Sequence, residues 1–107
     1  MQLTNMKKVL IIEDDKEISG LLEIHLTDLN CEITKHFDGL KGLNEAKENK
    51  FDLIVLDIML PGMDGFEVCK EIRKMEINTP ILMLTSKSEE TDKVLGLETG
   101  ADIVKIK

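Results

Sequence analysis

The chain has 107 residues, of which 42% are apolar and 33% charged, and it carries a net charge of −7 at pH 7. That is the length of one domain with one core, and the composition belongs to a globular chain rather than a disordered one. The acidic balance and the single arginine, Arg73, argue against a nucleic-acid surface, and no apolar run approaches the ~18 residues of a membrane span. The start, Met1 to Lys8, runs into a short apolar stretch and then acids, which is not a signal peptide. Cys31 and Cys69 stand far apart with no Cys-X-X-Cys, as expected of reduced thiols in a cytoplasmic protein.

Apolar stretches alternate with amphipathic ones. Residues 8–12 read as a first strand and residues 16–29 as a helix, with Ile18, Leu21, Leu22, Leu26 and Leu29 at helical spacing and Asp14 and Glu17 as a cap-like start. Residues 32–36 form a short, less apolar strand suited to a sheet edge, and 39–48 a weak helix. Residues 51–57 are a fully apolar strand ending in Asp57, followed by the loop Pro61-Gly62-Met-Asp-Gly65. Phe66 to Met75 is a helix, with Val68, Ile72 and Met75 on one stripe; residues 81–85 are the fourth strand. Ser86 and Glu89 are spaced as a capping box for a fourth helix reaching about Thr99, whose thin stripe of Val94, Leu95 and Leu97 predicts a loosely held element. Residues 102–107 are the fifth strand. The repeated strand–helix order implies an α/β fold, a parallel sheet covered on both faces with right-handed crossovers.

Open sheets of this kind place ligands at the carboxyl ends of their strands. Two of those ends carry acids: Glu13-Asp14-Asp15 after the first strand and Asp57 on the third. Magnesium takes about six oxygen ligands, one or two of them protein carboxylates, and Glu13, Asp14 and Asp57 are a fitting supply. Packed together these acids repel, which favours a divalent counter-ion; with it, Asp57 can stay ionised and attack phosphorus. A hydroxyl and a lysine would steady the phosphoryl oxygens, and the chain offers Thr85 and either Lys105 or Lys107. Other residues read more plainly. Asp15 is a helix cap and Asp64 a turn former. His25, on the apolar stripe of the first helix, and His36, at a strand end, are structural. Met59, Met63 and Met83 are filler or loop contacts by their side chains.

The motifs Val-Leu-Ile-Ile-Glu13-Asp14-Asp15, Asp57-Ile-Met-Leu-Pro61-Gly62-Met-Asp-Gly65, Met83-Leu-Thr85-Ser86 and Gly96-Leu-Glu-Thr-Gly100-Ala-Asp102 stand in an order and spacing that together are highly specific. From about Lys7 to Asp102 the chain resembles the receiver domain of two-component response regulators, and its third and fourth blocks look most like regulators with a winged-helix DNA-binding output domain. The resemblance implies a flavodoxin-like, doubly wound, five-stranded sheet in the order 2-1-3-4-5. It implies Asp57 as phospho-acceptor from the phosphohistidine of a sensor histidine kinase. It implies Glu13, Asp14, Asp57 and the backbone carbonyl of Met59 as Mg²⁺ ligands, with Asp14 the more direct of the first two, and Thr85 as the hydroxyl that moves toward the phosphoryl group. Such a protein accepts and loses phosphate rather than turning over as an enzyme.

The resemblance departs at the end. The family continues Gly-Ala-Asp with Asp-aromatic-aliphatic-X-Lys-Pro-Phe and a fifth helix, where this chain reads Asp102-Ile-Val-Lys105-Ile-Lys107. Counted without a gap, Lys107 takes the phosphate-contacting lysine position; with a two-residue deletion, Lys105 does. The expectation is therefore a receiver domain over 1–107, shortened at its C-terminal end and without an output domain. One flank of the sheet would be uncovered, with Leu10, Ile12 and Leu56 as candidates for the bare patch and a homodimer or element-swapped oligomer as the result. Three rivals share the frame. A mononucleotide binder would need a Gly/Ser/Thr loop after the first strand, where this chain has acids. A haloacid-dehalogenase-like phosphatase would need a second aspartate at Met59. A decayed receiver would be a non-catalytic interaction module.

Overall fold

The computed structural model describes residues 6–86 and 90–107. Its elements run β1 (Lys7–Ile12), α1 (Lys16–Asp28), β2 (Cys31–His36), α2 (Gly39–Glu48), β3 (Leu53–Asp57), α3 (Gly65–Lys74), β4 (Ile81–Thr85), α4 (Glu90–Glu98) and β5 (Ile103–Ile106). The five strands form one parallel sheet in the order β2-β1-β3-β4-β5, a flavodoxin-like doubly wound arrangement with β3 at the centre. The least apolar strand, β2, lies at an edge as its composition predicts.

Most boundaries fall within two residues of the expected ones, and the differences have local causes. Phe51 and Asp52 precede β3 because Asp52 exchanges bonds with the Lys8 backbone: its N–H reaches the Lys8 carbonyl at 2.7 Å and its carboxylate accepts from the Lys8 N–H at 2.8 Å. At the start of α1, Asp15 and not Asp14 is the cap, accepting from the N–H groups of Glu17 and Ile18 at 2.9 and 3.2 Å. That leaves Asp14 outside the helix. The expected apolar stripe of α1 is only partly inward. Leu22 and Leu26 pack on the sheet, but Leu21 sits about 100° round the helix from Leu22 and is exposed, as are Leu29 and His25. Asp64 caps α3 through the Glu67 N–H at 3.0 Å. The Ser86–Glu89 capping box falls partly outside the described residues.

The core has two sides. Leu10, Ile12, Ile54, Leu56, Ile81 and Met83 point to the side of α2 and α3, where they meet Leu43, Ala46, Val68, Cys69 and Ile72. Val9, Ile11, Val55 and Leu84 point the other way, under Leu22 and Leu26 of α1. Leu10, Ile12 and Leu56 are 0% exposed, so they are not the bare patch that was expected. Strand alternation puts them on the two-helix side, and each stabilises the fold by about 1.5–3 kcal/mol through burial. On the α1 side the exposed apolar residue is Ile103, paired in register with the half-buried Leu82. As expected, α4 is thinly held: Val94, Leu95 and Leu97 are all exposed, and its buried contact is Gly96 against Val104 and Met83.

Two features fix the strand tips. Arg73 donates to the carbonyls of Ile77, Thr79 and Gly100 at 2.7, 2.9 and 2.9 Å and to Asp102 Oδ2 at 3.0 Å. Asp102 Oδ2 also accepts from the Ile81 N–H at 2.8 Å. One side chain thereby ties the end of α3 to the starts of β4 and β5. Gly65 lies against the chain just past β3, where an added Cβ would stand 2.2 Å from the Asp57 carbonyl oxygen. Gly65→Ala should therefore force the loop off Asp57 and cost about 2–3 kcal/mol, lowering the melting temperature by roughly 10 °C or more in a thermal scan.

Candidate functional site

Four strand tips converge on one rim. β1 delivers Glu13, whose N–H continues the ladder to the His36 carbonyl at 3.1 Å. β3 delivers Asp57 and β4 delivers Thr85. β5 delivers Lys107, whose backbone N–H bonds the Thr85 carbonyl at 2.9 Å and so extends the β4–β5 pairing by one residue. The two lysines share a face of β5, and position along the strand sets them apart: Lys105 pairs with Leu84 in register and is exposed, while Lys107, just past the end of the strand, turns its ammonium into the rim.

The centre is a buried acid pair spanned by a cation. Glu13 is 0% and Asp57 1% exposed. Lys107 Nζ lies 3.1 and 3.3 Å from the two Glu13 oxygens and 3.1 Å from Asp57 Oδ2. Glu13 Oε2 also accepts from the Asp15 N–H at 3.0 Å. Burial, helped by the neighbouring Asp57 charge, pushes the Glu13 carboxyl up to about 7, although the Asp15 N–H and Lys107 pull it down. Burial pulls the Lys107 ammonium down, but its bonds to Glu13 and the negative charge of Asp57 beside it outweigh that and raise it on balance.

Asp57 is the under-satisfied member. Both its oxygens are buried and neither accepts a hydrogen bond of good geometry; the Lys107 contact to Oδ2 is an ion pair without one. Carboxylate oxygens kept from water without such bonds mark a place where a further positive group fits. Asp14 supplies the exposed side of the same cluster. One carboxylate oxygen each from Glu13, Asp14 and Asp57 lies within 4.8 Å of the others, an all-oxygen set suited to a hard divalent cation. Beside Asp14 opens a cleft of about 510 Å³ lined also by Ile58, Met59, Pro61 and Phe66. Met59 lies in that wall with its side chain exposed.

The structure thus brings Glu13, Asp14, Asp57 and Lys107 together, and sets Thr85, 3% exposed, on the adjacent strand tip. The Thr85 hydroxyl donates to Asp92 Oδ2 on α4 at 3.2 Å. Asp92 and Arg73 are the residues that sequence reading passed over. Asp92 stands in a helix whose sequence signal is apolar spacing, and Arg73 stands out in the sequence only as the single arginine. His36 bonds Glu45 at 2.9 Å and plays the structural part expected of it. Cys69 is buried with its thiol on the Thr99 carbonyl at 3.4 Å, and burial raises it above the ordinary thiol range, so it is unreactive.

The family model described as the response regulator receiver domain matches residues 9–106. The alkaline phosphatase synthesis transcriptional regulatory protein PhoP of Bacillus subtilis is 50% identical over 96 residues, which is 90% of this chain and 40% of that protein. The chain therefore spans less than half the length of the curated relatives it matches. Among solved structures, the Francisella response regulator 1452 receiver domain superposes with a TM-score of 0.89 at 35% identity, covering 94% of this chain and 84% of the other. The receiver domain of the Pseudomonas aeruginosa sensor histidine kinase PA1611, solved with a magnesium ion coordinated in its active site cleft, gives 0.88 at 28% identity, covering 96% and 86%.

Proposed function

The chain belongs to the response regulator receiver domain family, and on that premise we propose that it takes a phosphoryl group onto Asp57 from a sensor histidine kinase in an Mg²⁺-dependent step. The observation that carries this reading is the Asp57 carboxylate itself, buried, without hydrogen bonds and beside a lysine at the mouth of an acidic cluster. Glu13, Asp14, Asp57 and the Met59 carbonyl would hold the ion, which supplies positive charge to the acids and to the phosphoryl oxygens. An Asp57 oxygen forms the new bond to phosphorus while the bond from phosphorus to the donor's imidazole nitrogen breaks. Lys107 gives up part of its bonding to Asp57 and turns it onto a phosphoryl oxygen. Thr85 offers its hydroxyl to another. A full set of acids, hydroxyl and lysine supports a working site over a decayed one.

PhoP is named as a transcriptional regulator, and the switch in this chain would serve a transcription output in the cytoplasm when carried in a protein of that length. Among the described residues, no helix is long and apolar enough to cross a membrane. A second copy would join through Ile103 and Leu82 on the α1 side of the sheet, which sedimentation at micromolar concentration reads directly.

Intact mass spectrometry tests the reading. With Mg²⁺ and acetyl phosphate the protein should gain one phosphoryl group, and with the metal chelated it should gain none. Labelling that ignores chelation would overturn the metal-dependent step. A second outcome is thermal. Mg²⁺ at roughly ten times its Kd should stabilise the fold by about 1.4 kcal/mol, or several degrees of melting temperature. Asp14→Ala should abolish most of that shift, because it removes the ligand on the open side of the cluster.

A further inference from the structure

We propose that Asp92 is a positioning residue: it holds the Thr85 hydroxyl on α4 until phosphorylation of Asp57 draws that hydroxyl away. The inference rests on the reading of Asp57 as acceptor and adds a competitor for Thr85 that the reading does not contain.

A threonine hydroxyl has one hydrogen to donate. Here it is donated to Asp92 Oδ2 at 3.2 Å. On the other side, neither oxygen of Asp57 accepts a hydrogen bond, so the hydroxyl is not shared with the acceptor. The same hydrogen is the one the proposed phosphorylated state needs. A phosphoryl group carries close to two negative charges and three strong acceptor oxygens, against one charge on Asp92, so it outcompetes Asp92 once formed. The exchange leaves Asp92 without its Thr85 bond at the start of a helix whose Val94, Leu95 and Leu97 are exposed. Loss of one bond matters more in α4 than it would in α3, which is anchored by the fully buried Val68, Cys69 and Ile72. Because linkage is reciprocal, whatever draws Asp92 off Thr85 from outside favours the phosphoryl group on Asp57 at equilibrium by the same factor as that group favours its binding.

A plainer role exists for Asp92: an acid in the first turn of a helix complements its dipole. That role predicts a loss of α4 stability on substitution and no link to Thr85. The two are separated with beryllofluoride, a phosphoryl mimic, titrated in Mg²⁺ against wild type, Asp92→Ala, Asp92→Asn, Thr85→Ala and the Asp92→Ala/Thr85→Ala double variant. Removing the competing acceptor should tighten beryllofluoride binding about three- to tenfold, the net size of one ordinary hydrogen bond. Asparagine keeps the shape and a neutral acceptor, and should tighten it less. In the Thr85→Ala background the Asp92 substitution should change nothing. Unchanged or weaker binding in Asp92→Asn and Asp92→Ala overturns the proposal, and so does an equal effect with and without Thr85. Beryllofluoride that binds Asp57→Asn as well as wild type overturns the acceptor reading itself, and the proposal with it.

Discussion

Asp57→Asn is expected to abolish phosphorylation by acetyl phosphate in Mg²⁺, with no gain of a phosphoryl group in the intact mass after an exposure that labels wild type fully. The amide loses the anionic oxygen that must attack phosphorus and one of the three carboxylates of the proposed ion site. The substitution should not unfold the protein. Asp57 sits between fully buried strand residues whose ladder bonds come from the backbone, and asparagine fills nearly the same volume. It also relieves the crowding of negative charge around Glu13, so the variant should melt no lower than wild type in metal-free buffer. A variant labelled as well as wild type would move the acceptor elsewhere. Retained folding with lost labelling is the result that separates the chemistry from the scaffold.

Lys107→Ala should have the largest effect on stability among single changes at the rim. It takes away the cation lying 3.1 Å from both Glu13 and Asp57 and leaves two buried carboxylates facing each other. Breaking a buried pair in this way costs about 3–5 kcal/mol, and the partial exposure of the lysine reduces that to about 2–3 kcal/mol. The expected fall in melting temperature is roughly 10–20 °C in metal-free buffer. Mg²⁺ should restore part of it by supplying charge to the same acids. Lys105→Ala is the control: an exposed side chain whose loss should change stability by less than about 0.5 kcal/mol. If the two variants behaved alike, Lys107 would not be the rim's counter-charge.

Much of the architecture is legible in the chain because each signal is local. The apolar run into Asp57, the acids after Ile12, and Pro61 and Gly65 after the third strand each declare a strand, a tip or a loop without reference to distant residues. What could not be read depends on relations between elements. Periodicity in α1 groups Leu21 and Leu29 with Leu22 and Leu26, but only docking on the sheet decides which of them face inward. Alternation places Leu10 and Leu56 on a common side without saying that this side receives α2 and α3 rather than α1. Asp14 and Asp15 are equivalent as candidate caps until the chain turns into the helix. Which of Lys105 and Lys107 reaches the rim is a question of register on β5, where the bond from the Lys107 N–H to the Thr85 carbonyl sets Lys107 beside the acids. Asp92 reaches Thr85 only because α4 lies across the tip of β4.

The pairing of Lys107 with Glu13 spans 94 positions of sequence. A ribosome adding about 5–20 residues per second needs roughly 5–20 s to pass from one to the other. For that interval the first carboxylate of the rim exists without the ammonium that will sit between it and Asp57. Parallel pairing imposes a shorter wait on β1, which lies between β2 and a β3 that has yet to be made. The rim is thus the last part of this sheet to be completed, and a nascent chain has no Lys107 ammonium between Glu13 and Asp57 before β5 has left the exit tunnel.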